Sequence, residues 1–389
     1  MVTDSYPPEL EFESWQAIQL LCATAKKGLV KCYCETDLLQ NSHRNRKLAA
    51  LNMALNLRYI IIAQIGIRHW LHFHSDEEQL PDFWEYIHSR SNQVNSAGDL
   101  GLAIWAGVES NANDCSILAG KLANNWPRLC KACNAVELAW VVQALVRFSQ
   151  SQPATDEITN MLKDAHRRLM NLYCHDTGLF ARHNREGFRE VIPHHIACFA
   201  DQVYPILALA SYGQYFKDRR SIDTAVAVTD MISRLQGDKG QWWWHYNVKE
   251  GTVAEEYPVF SVHQDGMAPM ALLAIDKVTN KNHSPYIEKG LRWLSGQNEL
   301  QAEMILPEKG IVWRDIHRRE ISKMYRLTRS ILTTVGWDRA HHLAGKNLFG
   351  YVVNRESRPY HLGWILYAWA EEVSVLRATS DDAASRIRQ

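Results

Sequence analysis

The chemically active side chains of this 389-residue chain are densest between residues 240 and 269. This stretch holds an aromatic run, a carboxylate pair and a polar triplet: Trp242, Trp243, Trp244, His245 and Tyr246; Glu255 and Glu256; His263, Gln264 and Asp265. Consecutive indoles cannot all face one side of a regular element, so we expect at least one to face a cavity. Aromatic faces in a cavity stack on sugar rings or prenyl chains. We therefore predict that Trp243 and Trp244 bind substrate; the alternative is an aromatic loop packed over a rim.

Carboxylates close to this aromatic run are candidates for acid–base catalysis. Two carboxyl groups on either side of a bond are the minimum for glycoside chemistry. An imidazole can assist by taking up or releasing a proton. We predict five catalytic residues: Asp265, His263, Asp201, Glu255 and Glu256.

Further polar residues stand at the start of apolar, helix-like segments or in the loops before them. We predict that they bind substrate; they are Asp99, Glu137, Gln202, His245, Tyr246, Gln264, Tyr360 and His361. The alternative is that each residue caps its helix, since Asp commonly accepts hydrogen bonds from the first backbone N–H groups. Capping explains the whole set less well, because Glu, Gln, His and Tyr are poor N-caps.

A second aromatic and basic stretch covers residues 311–319 and contains Trp313 and Arg314. An indole beside a guanidinium offers stacking together with bidentate recognition of a carboxylate or phosphate. We predict that both residues bind substrate. The alternative is an arginine-rich surface that contacts only solvent.

Two cysteine pairs raise the question of a metal site. Cys32 with Cys34 and Cys130 with Cys133 would supply four thiolates, enough for a structural zinc ion. The two pairs lie far apart in the chain, however, and such spacing is a weak zinc signature. We predict no bound metal and no cofactor.

The segments that must position these residues are almost all helical by their apolar periodicity. The predicted helices are 12–33, 44–73, 99–126, 135–150, 156–173, 200–216, 221–235, 265–277, 284–295, 319–334 and 360–377. Some are apolar on every side, which indicates burial on every side, and these alternate with amphipathic helices. Each buried helix opens with polar residues and then turns apolar.

Six buried helices that alternate with a similar number of outer ones predict an all-α fold, the (α/α)6 toroid. Its inner helices run parallel, so their N-termini would line a funnel with a partial positive charge. We predict one toroid domain over residues 1–377 and a flexible tail over 378–389. A helical bundle or superhelical repeat is the alternative, but neither requires polar residues at the start of every buried helix.

Composition restricts the classes of partner. Lys plus Arg number 43, as do Asp plus Glu, so the formal net charge is zero. This balance argues against binding to nucleic acid or to anionic lipid, both of which use a basic excess.

No segment approaches the roughly 18 apolar residues of a membrane span. The acidic first residues do not read as a signal peptide, so we expect a cytoplasmic protein with reduced cysteines. The 14 Trp and 17 His suit a wet, aromatic cavity for a small-molecule or glycan ligand.

The run Tyr-Pro-Val-Phe-Ser-Val-His-Gln-Asp-Gly-Met-Ala-Pro-Met-Ala at 257–271, the turn at 176–180 and the Trp-rich run resemble the six-hairpin toroid superfamily. Its members include unsaturated glucuronyl hydrolases, N-acylglucosamine 2-epimerases and, more remotely, terpenoid cyclases and prenyltransferases. The hydrolase resemblance implies acid chemistry by aspartates on inner helices, here Asp99, Asp201 and Asp265. The epimerase resemblance implies acid and base histidines, here His263 and His361.

The resemblance to terpenoid cyclases and prenyltransferases is weaker. Their Asp-x-Asp-Asp and Asp-Asp-x-x-Asp motifs are absent, and the adjacent aspartates Asp381 and Asp382 lie in the predicted tail. We therefore predict an enzyme that acts on a sugar or polysaccharide, with uronic-acid glycans among its candidates, by carboxylate and histidine acid–base catalysis. A role in polysaccharide metabolism or biosynthesis would fit. The alternatives are a terpenoid-cyclase-like enzyme without the usual acid and a non-catalytic toroid that binds a glycan or acts as a scaffold.

Overall fold

The computed structural model describes residues 10, 12–34, 53–75, 80–183, 195–319 and 350–387. Its helices are α1 Phe12–Cys34, α2 Met53–Phe73, α3 Trp84–His88, α4 Ala97–Glu109, α5 Cys115–Leu129, α6 Ala135–Ser151, α7 Asp156–Met170, α8 Ala200–Phe216, α9 Arg219–Arg234, α10 Ala268–Val278, α11 Ser284–Leu294 and α12 Pro359–Ile387. A π-helical turn, His263–Met267, leads into α10. The strands are β1 Tyr173–Cys174, β2 Leu179–Phe180, β3 Ile196–Cys198, β4 His245–Asn247, β5 Thr252–Glu255, β6 Val259–Phe260, β7 Ile305–Leu306, β8 Ile311–Val312, β9 Asp315–Arg318 and β10 Tyr351–Asn354.

Several predicted helix boundaries differ from the observed ones by one to three residues, and two predictions differ by more. The predicted helix 99–126 is two helices, α4 and α5, because Asn111 adopts a left-handed φ of 52° directly after α4. Asparagine tolerates this conformation and commonly ends a helix in it. The helix α12 runs to Ile387, so the predicted tail boundary at residue 377 falls inside a helix. The predicted helix 319–334 lies outside the described residues apart from Arg319.

In the part of the chain that the structure describes, α2, α4, α6, α8, α10 and α12 form a closed inner ring. Each packs against the next, and α12 packs back on α2. Tyr59 stacks on Tyr360, and further along the same two helices His69 lies against Tyr367, so α2 and α12 run parallel. The helices α1, α5, α7, α9 and α11 pack outside this ring. The predicted all-α (α/α)6 toroid is confirmed.

Glycines allow the first and last inner helices to meet. A Cβ atom placed on Gly66 of α2 would lie 1.9 Å from the carbonyl oxygen of Gly363 of α12. A Cβ on Gly363 would lie 2.7 Å from the Cα of Ala63 and 2.8 Å from the carbonyl oxygen of Ile62. Both obstacles are backbone atoms, which cannot rotate away. The ring therefore closes through backbone contact that only glycine permits at these positions.

Short strands lie in the connections that lead to the N-termini of α8, α10 and α12. β3, β4 and β5 form one antiparallel sheet, and β6, β9 and β10 form another. Strands of this length are too short to show a clear alternation in the sequence, which is why periodicity did not predict them. They build a rim around the end of the ring where the inner helices begin.

The interior of the ring is filled with aromatic side chains at its middle level. Trp105 of α4 and Trp364 of α12 are fully buried, with ring centroids 5.6 Å apart. Tyr204 of α8 lies 5.9 Å from Trp364. Residues from three inner helices therefore close the bore below its mouth.

Buried charges join the inner helices at the end opposite their N-termini. Glu109 of α4 accepts a hydrogen bond from Trp105 Nε1 (3.1 Å), and His69 Nδ1 of α2 lies 3.2 Å from its second oxygen. Arg147 of α6 lies 3.9 Å from Glu109 and donates to the Tyr367 hydroxyl of α12 (3.1 Å). Burial alone would raise the pKa of Glu109, but these partners lower it to about 2. The ionised carboxylate therefore ties the inner helices together at this end.

Substitution of Gly363 by alanine tests ring closure. Because the added methyl group would meet backbone, we expect Gly363→Ala to lower the free energy of unfolding by about 3 kcal/mol, the upper range of overpacking costs. Gly120 of α5 is the control, since no atom lies within 4 Å of its added Cβ. Gly120→Ala should raise stability by about 1 kcal/mol through helix propensity alone. Equal effects of the two substitutions in urea denaturation would contradict the closure.

The dependence of stability on pH provides a second test, of whether the ionised Glu109 ties the inner helices together. Its pKa falls from an ordinary 4.5 to about 2 on folding, so its stabilising contribution is complete above pH 4.5 and is lost as the pH falls towards 2. The shift corresponds to about 3 kcal/mol. The difference in unfolding free energy between wild type and Glu109→Gln should therefore shrink between pH 5 and pH 3. A difference that stays constant over this range would show that folding does not lower the pKa of Glu109.

Candidate active site

The start of α4 presents a carboxylate held by an arginine. Ser96 is the N-cap of α4; its hydroxyl accepts the Asp99 backbone N–H (3.0 Å) and donates to Asp99 Oδ2 (2.8 Å). Arg58 of α2 reaches Asp99 with two nitrogens, at 2.5 Å and 3.0 Å. The Asp99 side chain remains 17% exposed. Asp99 is therefore a fixed carboxylate at the mouth and not itself the cap of its helix.

Glu137 stands beside Asp99 at the start of α6. It forms a capping box with Asn134, whose side chain accepts the Glu137 N–H (2.9 Å) while Glu137 Oε2 accepts the Asn134 N–H (3.2 Å). A Cβ placed on Gly98 would lie 2.7 Å from Glu137 Cγ, so the two helix starts touch. Burial raises the pKa of Glu137 and nearby Asp99 raises it further, against the opposing effects of Asn134 and Arg58.

Asp201 lies at the start of α8 and is 1% exposed. Its Oδ2 accepts the backbone N–H of Cys198 (2.8 Å), so it caps the turn that leads into its own helix. Burial raises its pKa, and Arg182 and His183 belong to the groups that partly offset this. Asp201 is therefore a third carboxyl group at the mouth. It is buried, and its hydrogen bond with the Cys198 backbone N–H gives it a structural role.

Gln202, its neighbour, is a structural clamp. Its side chain is fully buried, accepts the Phe180 N–H (2.8 Å) and donates to the Phe180 carbonyl oxygen (2.9 Å). Both the oxygen and the nitrogen of the amide are hydrogen-bonded to the backbone of Phe180 in β2. The prediction that Gln202 binds substrate is wrong, because no polar atom of it remains for a ligand.

Asp265 and His361 form a buried pair between the π-helical turn and α12. His361 Nε2 lies 2.8 Å and 2.9 Å from the two Asp265 oxygens, and Asp265 is 0% exposed. Burial raises the pKa of Asp265, and the interaction with His361 partly offsets this. The structure corrects the prediction of Asp265 as a direct proton donor, because its carboxylate has no exposed atom with which to contact a ligand.

His263 and Gln264, the other members of this polar triplet, also point into the protein. His263 packs on Phe199 (4.5 Å between centroids), and burial lowers its pKa to about 3, so the imidazole is neutral. Gln264 is fully buried and donates to the Phe260 carbonyl oxygen (3.2 Å). Neither side chain is exposed enough to serve as the ligand contact that the sequence predicts.

The aromatic run divides into a buried and a half-buried part. Trp242 and Tyr246 are fully buried, so the prediction that Tyr246 binds substrate is wrong. Trp243 and Trp244 keep partial exposure, as expected for at least one of the three indoles. Trp244 stacks on His245 (4.4 Å) on the rim. Within β4, successive side chains point to opposite faces, which buries Tyr246 between the half-buried His245 and Asn247.

The carboxylates Glu255 and Glu256 do not act on one centre. Glu255 at the end of β5 lies 3.2 Å from His245 Nδ1, whereas Glu256 accepts from Arg318 (3.4 Å). Each therefore has its own partner on the rim. The prediction that they form a paired acid and base is not supported by these contacts.

A cluster of two arginines around one carboxylate lies beside the start of α12. Arg314 donates to Glu356 (2.9 Å), and Arg358 donates to the same oxygen through Nη2 (2.8 Å). Arg358 also donates to the Tyr59 hydroxyl (2.7 Å), and Tyr59 stacks on Tyr360 (4.6 Å). We call Arg314, Glu356 and Arg358 the rim arginine cluster. The half-buried Trp313 adjoins Arg314 in the chain.

Sequence reasoning missed Arg58, Tyr59 and Arg358 as site residues. Arg58 and Tyr59 precede the apolar part of α2, so the rule of polar residues at inner-helix starts would have found them. Arg358 directly precedes Pro359, the first residue of α12, and follows the same rule. Polar residues at the start of every inner helix therefore identify the side chains at the mouth of the toroid better than the densest stretch of motifs does.

Metal ligands do not converge in the described part of the chain: no three His, Cys, Asp or Glu side chains are placed to hold an ion. Burial, followed by Glu137 and Cys130, raises the pKa of Cys133 to about 12, which favours a thiol over a thiolate. The side chain of Cys34 lies outside the described residues. Among the described helices, none combines the length and the apolar character that crossing a membrane requires.

Comparisons with known proteins identify the fold. No protein-family model matches the sequence, and no curated protein matches it. The solved unsaturated glucuronyl hydrolase from Bacillus sp. GL1, responsible for the degradation of glycosaminoglycan, is 12% identical with a TM-score of 0.55 and covers 94% of this chain and 96% of its own.

Two further solved structures match over similar lengths. An unsaturated glucuronyl hydrolase specific for heparin is 11% identical with a TM-score of 0.59, over 93% of this chain and 98% of its own. A polysaccharide lyase is 10% identical with a TM-score of 0.56, over 94% of this chain and 98% of its own. At these identities the likeness concerns the fold. The chain has the six-hairpin toroid fold that its sequence resembles.

We expect the buried Asp265–His361 pair to contribute to the stability of the protein. Removal of one partner of a buried pair leaves the other without its hydrogen bonds, so Asp265→Ala should lower the free energy of unfolding by about 4 kcal/mol. The control is Asp223→Ala, which removes an exposed i,i+4 pair with Arg219 and should cost less than about 0.5 kcal/mol. Chemical denaturation measures both. A loss below about 1 kcal/mol for Asp265→Ala would contradict the structural role.

Proposed function

We propose that this protein is an enzyme that acts on a uronic-acid-containing glycan at the mouth of the toroid, with Glu137 as general acid and Asp99 as its carboxylate partner. One observation carries the proposal. Two adjacent carboxyl groups have different surroundings at the mouth: Asp99 accepts hydrogen bonds from two nitrogens of Arg58, whereas Glu137 has no arginine bonded to it and burial raises its pKa. A carboxyl group with a raised pKa beside a second carboxyl group held by a cation is an arrangement suited to acid and base chemistry.

The chemistry follows from this arrangement. The raised pKa of Glu137 favours a role as general acid, which donates a proton to a glycosidic oxygen or to a double bond of an unsaturated uronyl ring. Asp99 can stabilise the positive charge that develops on the sugar, or activate a water molecule. The start of α6 holds Glu137 through the capping box, so its carboxyl group is fixed in place.

The surroundings suit an acidic sugar. Arg314 and Arg358 both donate to Glu356, and Arg314 Nε also lies 3.7 Å from Asp315, so the rim arginine cluster places two guanidinium groups where the carboxylate of a ligand could accept hydrogen bonds. Arg58 lies over the Trp140 ring at 5.5 Å, and Arg358 lies over the Tyr59 ring at 5.4 Å, with Tyr59 stacked on Tyr360. Aromatic faces beside cationic groups are what a uronate ring requires.

The solved structures support the same substrate class. Two of the toroids with the same fold are unsaturated glucuronyl hydrolases, one of them specific for heparin. A third is a polysaccharide lyase, so the reaction type depends on the site of each protein and not on the fold. Trp243 and Trp244 complete the proposed substrate surface as two half-buried indoles.

Substitution of Glu137 tests the proposal. Glutamine keeps the capping box, because Glu and Gln both serve at this position, but it cannot donate an acidic proton. With glycosaminoglycan disaccharides that carry an unsaturated or a saturated glucuronyl end as probes, Glu137→Gln should lower kcat by about 100-fold or more. The KM and the thermal midpoint should change little. Wild-type kcat should fall as the pH rises above the raised pKa of Glu137, and the variant should lack this fall.

The exposed Glu250, in the turn between β4 and β5, provides the control. Glu250→Gln makes the same change of side chain at an exposed turn and should leave kcat unchanged. Full activity of Glu137→Gln would remove Glu137 from the mechanism. Binding of both disaccharides without turnover by the wild type would contradict an enzymatic role.

A further inference from the structure

Two groups of side chains with the same composition lie next to each other on the rim. In the first, the half-buried Trp244 packs edge-on against Phe260, with 5.6 Å between their ring centroids. The Arg314 guanidinium lies over the Phe260 ring at 5.4 Å and donates to Glu356 (2.9 Å). We call these four residues the first arginine–aromatic group.

The second group repeats this arrangement. The half-buried Trp243 packs edge-on against Tyr257, with 6.0 Å between their ring centroids. The Arg318 guanidinium lies over the Tyr257 ring at 5.3 Å and donates to Glu256 (3.4 Å). We call these four residues the second arginine–aromatic group. An indole, a second ring, an arginine and a carboxylate therefore occur together twice on the rim.

The pairing of β9 with β10 fixes the spacing of the two groups. The Arg314 N–H bonds to the Asn354 carbonyl oxygen (3.2 Å) and so continues the ladder of β9, which ends at Arg318. Four residues of extended chain place the two arginines about 13 Å apart. Asn354, opposite the Arg314 end, is the last residue of β10 before α12, whereas Tyr351 lies opposite Arg318. The first group therefore lies nearer to the start of α12, and the second lies further out on the rim.

A ligand can reach the charged side chains of both groups. The side chains of Arg314 and Arg318 are 26% and 28% exposed, and that of Glu256 is 46% exposed. The hydrogen bond from Arg318 to Glu256 is long, at 3.4 Å, and an exposed ion pair of this kind contributes little free energy. The carboxylate of a ligand can therefore replace Glu256 at Arg318 at little cost.

We propose that the two arginine–aromatic groups are successive anionic subsites for one glycan chain in which acidic sugars recur. This rests on the proposed function. The sugar at the mouth directs its carboxylate to Arg314 in the first group, and the next acidic sugar directs its carboxylate to Arg318 in the second. The guanidinium groups supply paired N–H donors to each carboxylate, and the half-buried indoles supply faces for the sugar rings. A single monosaccharide is too short to contact both guanidinium groups across about 13 Å.

The dependence of activity on chain length tests the second subsite. The probes are the unsulfated chondroitin disaccharide and tetrasaccharide, which carry one and two glucuronyl groups. A second contact within the same complex should make the wild-type kcat/KM at least about 10-fold higher for the tetrasaccharide than for the disaccharide. Arg318→Gln should abolish this preference, because it removes the second guanidinium. Glu256→Gln should increase the preference, because it removes the carboxylate that competes for Arg318.

Arg219→Gln provides the matched control. Arg219 forms an exposed ion pair with Asp223 on the outer helix α9, so this substitution removes the same kind of pair outside the rim. It should leave the ratio of the two kcat/KM values at the wild-type level.

The outcomes separate the two proposals. If the wild type has equal kcat/KM for the two probes, or if Arg318→Gln keeps the wild-type ratio, the second subsite is wrong and the proposed function stands. A loss in Arg318→Gln that is equal for both probes would also contradict the second subsite, since Arg318 would then act on the terminal sugar or on the fold. If the wild type turns over neither probe, the proposed function fails and the second subsite fails with it.

Discussion

Backbone contact between α2 and α12 at Gly66 and Gly363 is the constraint on which the other features of this protein depend. It lets the last inner helix close against the first, and closure sets the width of the bore. Because the inner helices are parallel, closure also brings their N-termini together at one end. The polar residues that open each inner helix then become neighbours, although they are distant in the chain. The candidate site therefore depends on closure of the ring, because no single segment of the chain contains all of its residues.

Polar groups are distributed unequally along the axis of the ring. At the closed end, the ionised Glu109 is satisfied by its neighbours and ties the helices together. At the mouth, the carboxyl groups are only partly used: Glu137 serves its capping box, and Asp99 its arginine.

The fold was predictable because burial on all sides and polar helix starts are both visible in a sequence. The choice among polar residues was not predictable, because it depends on partners distant in the chain. Gln202 reads as a ligand contact until the fold places it against Phe180, and Asp265 reads as an acid until the fold places it against His361. Glu137, in contrast, keeps a half-buried carboxyl at the mouth, and its neighbour Asp99 becomes apparent as a partner only when α4 packs on α6.

The most direct test of the central claim is a crystal structure of the protein with bound glucuronate. The account predicts that the sugar lies at the mouth, within hydrogen-bond distance of Glu137. Its carboxylate should face Arg314 or Arg358, and its ring should contact Trp140 or Tyr360. A sugar bound on the outer helices, or beside Trp244 without contact to Asp99 or Glu137, would contradict the account.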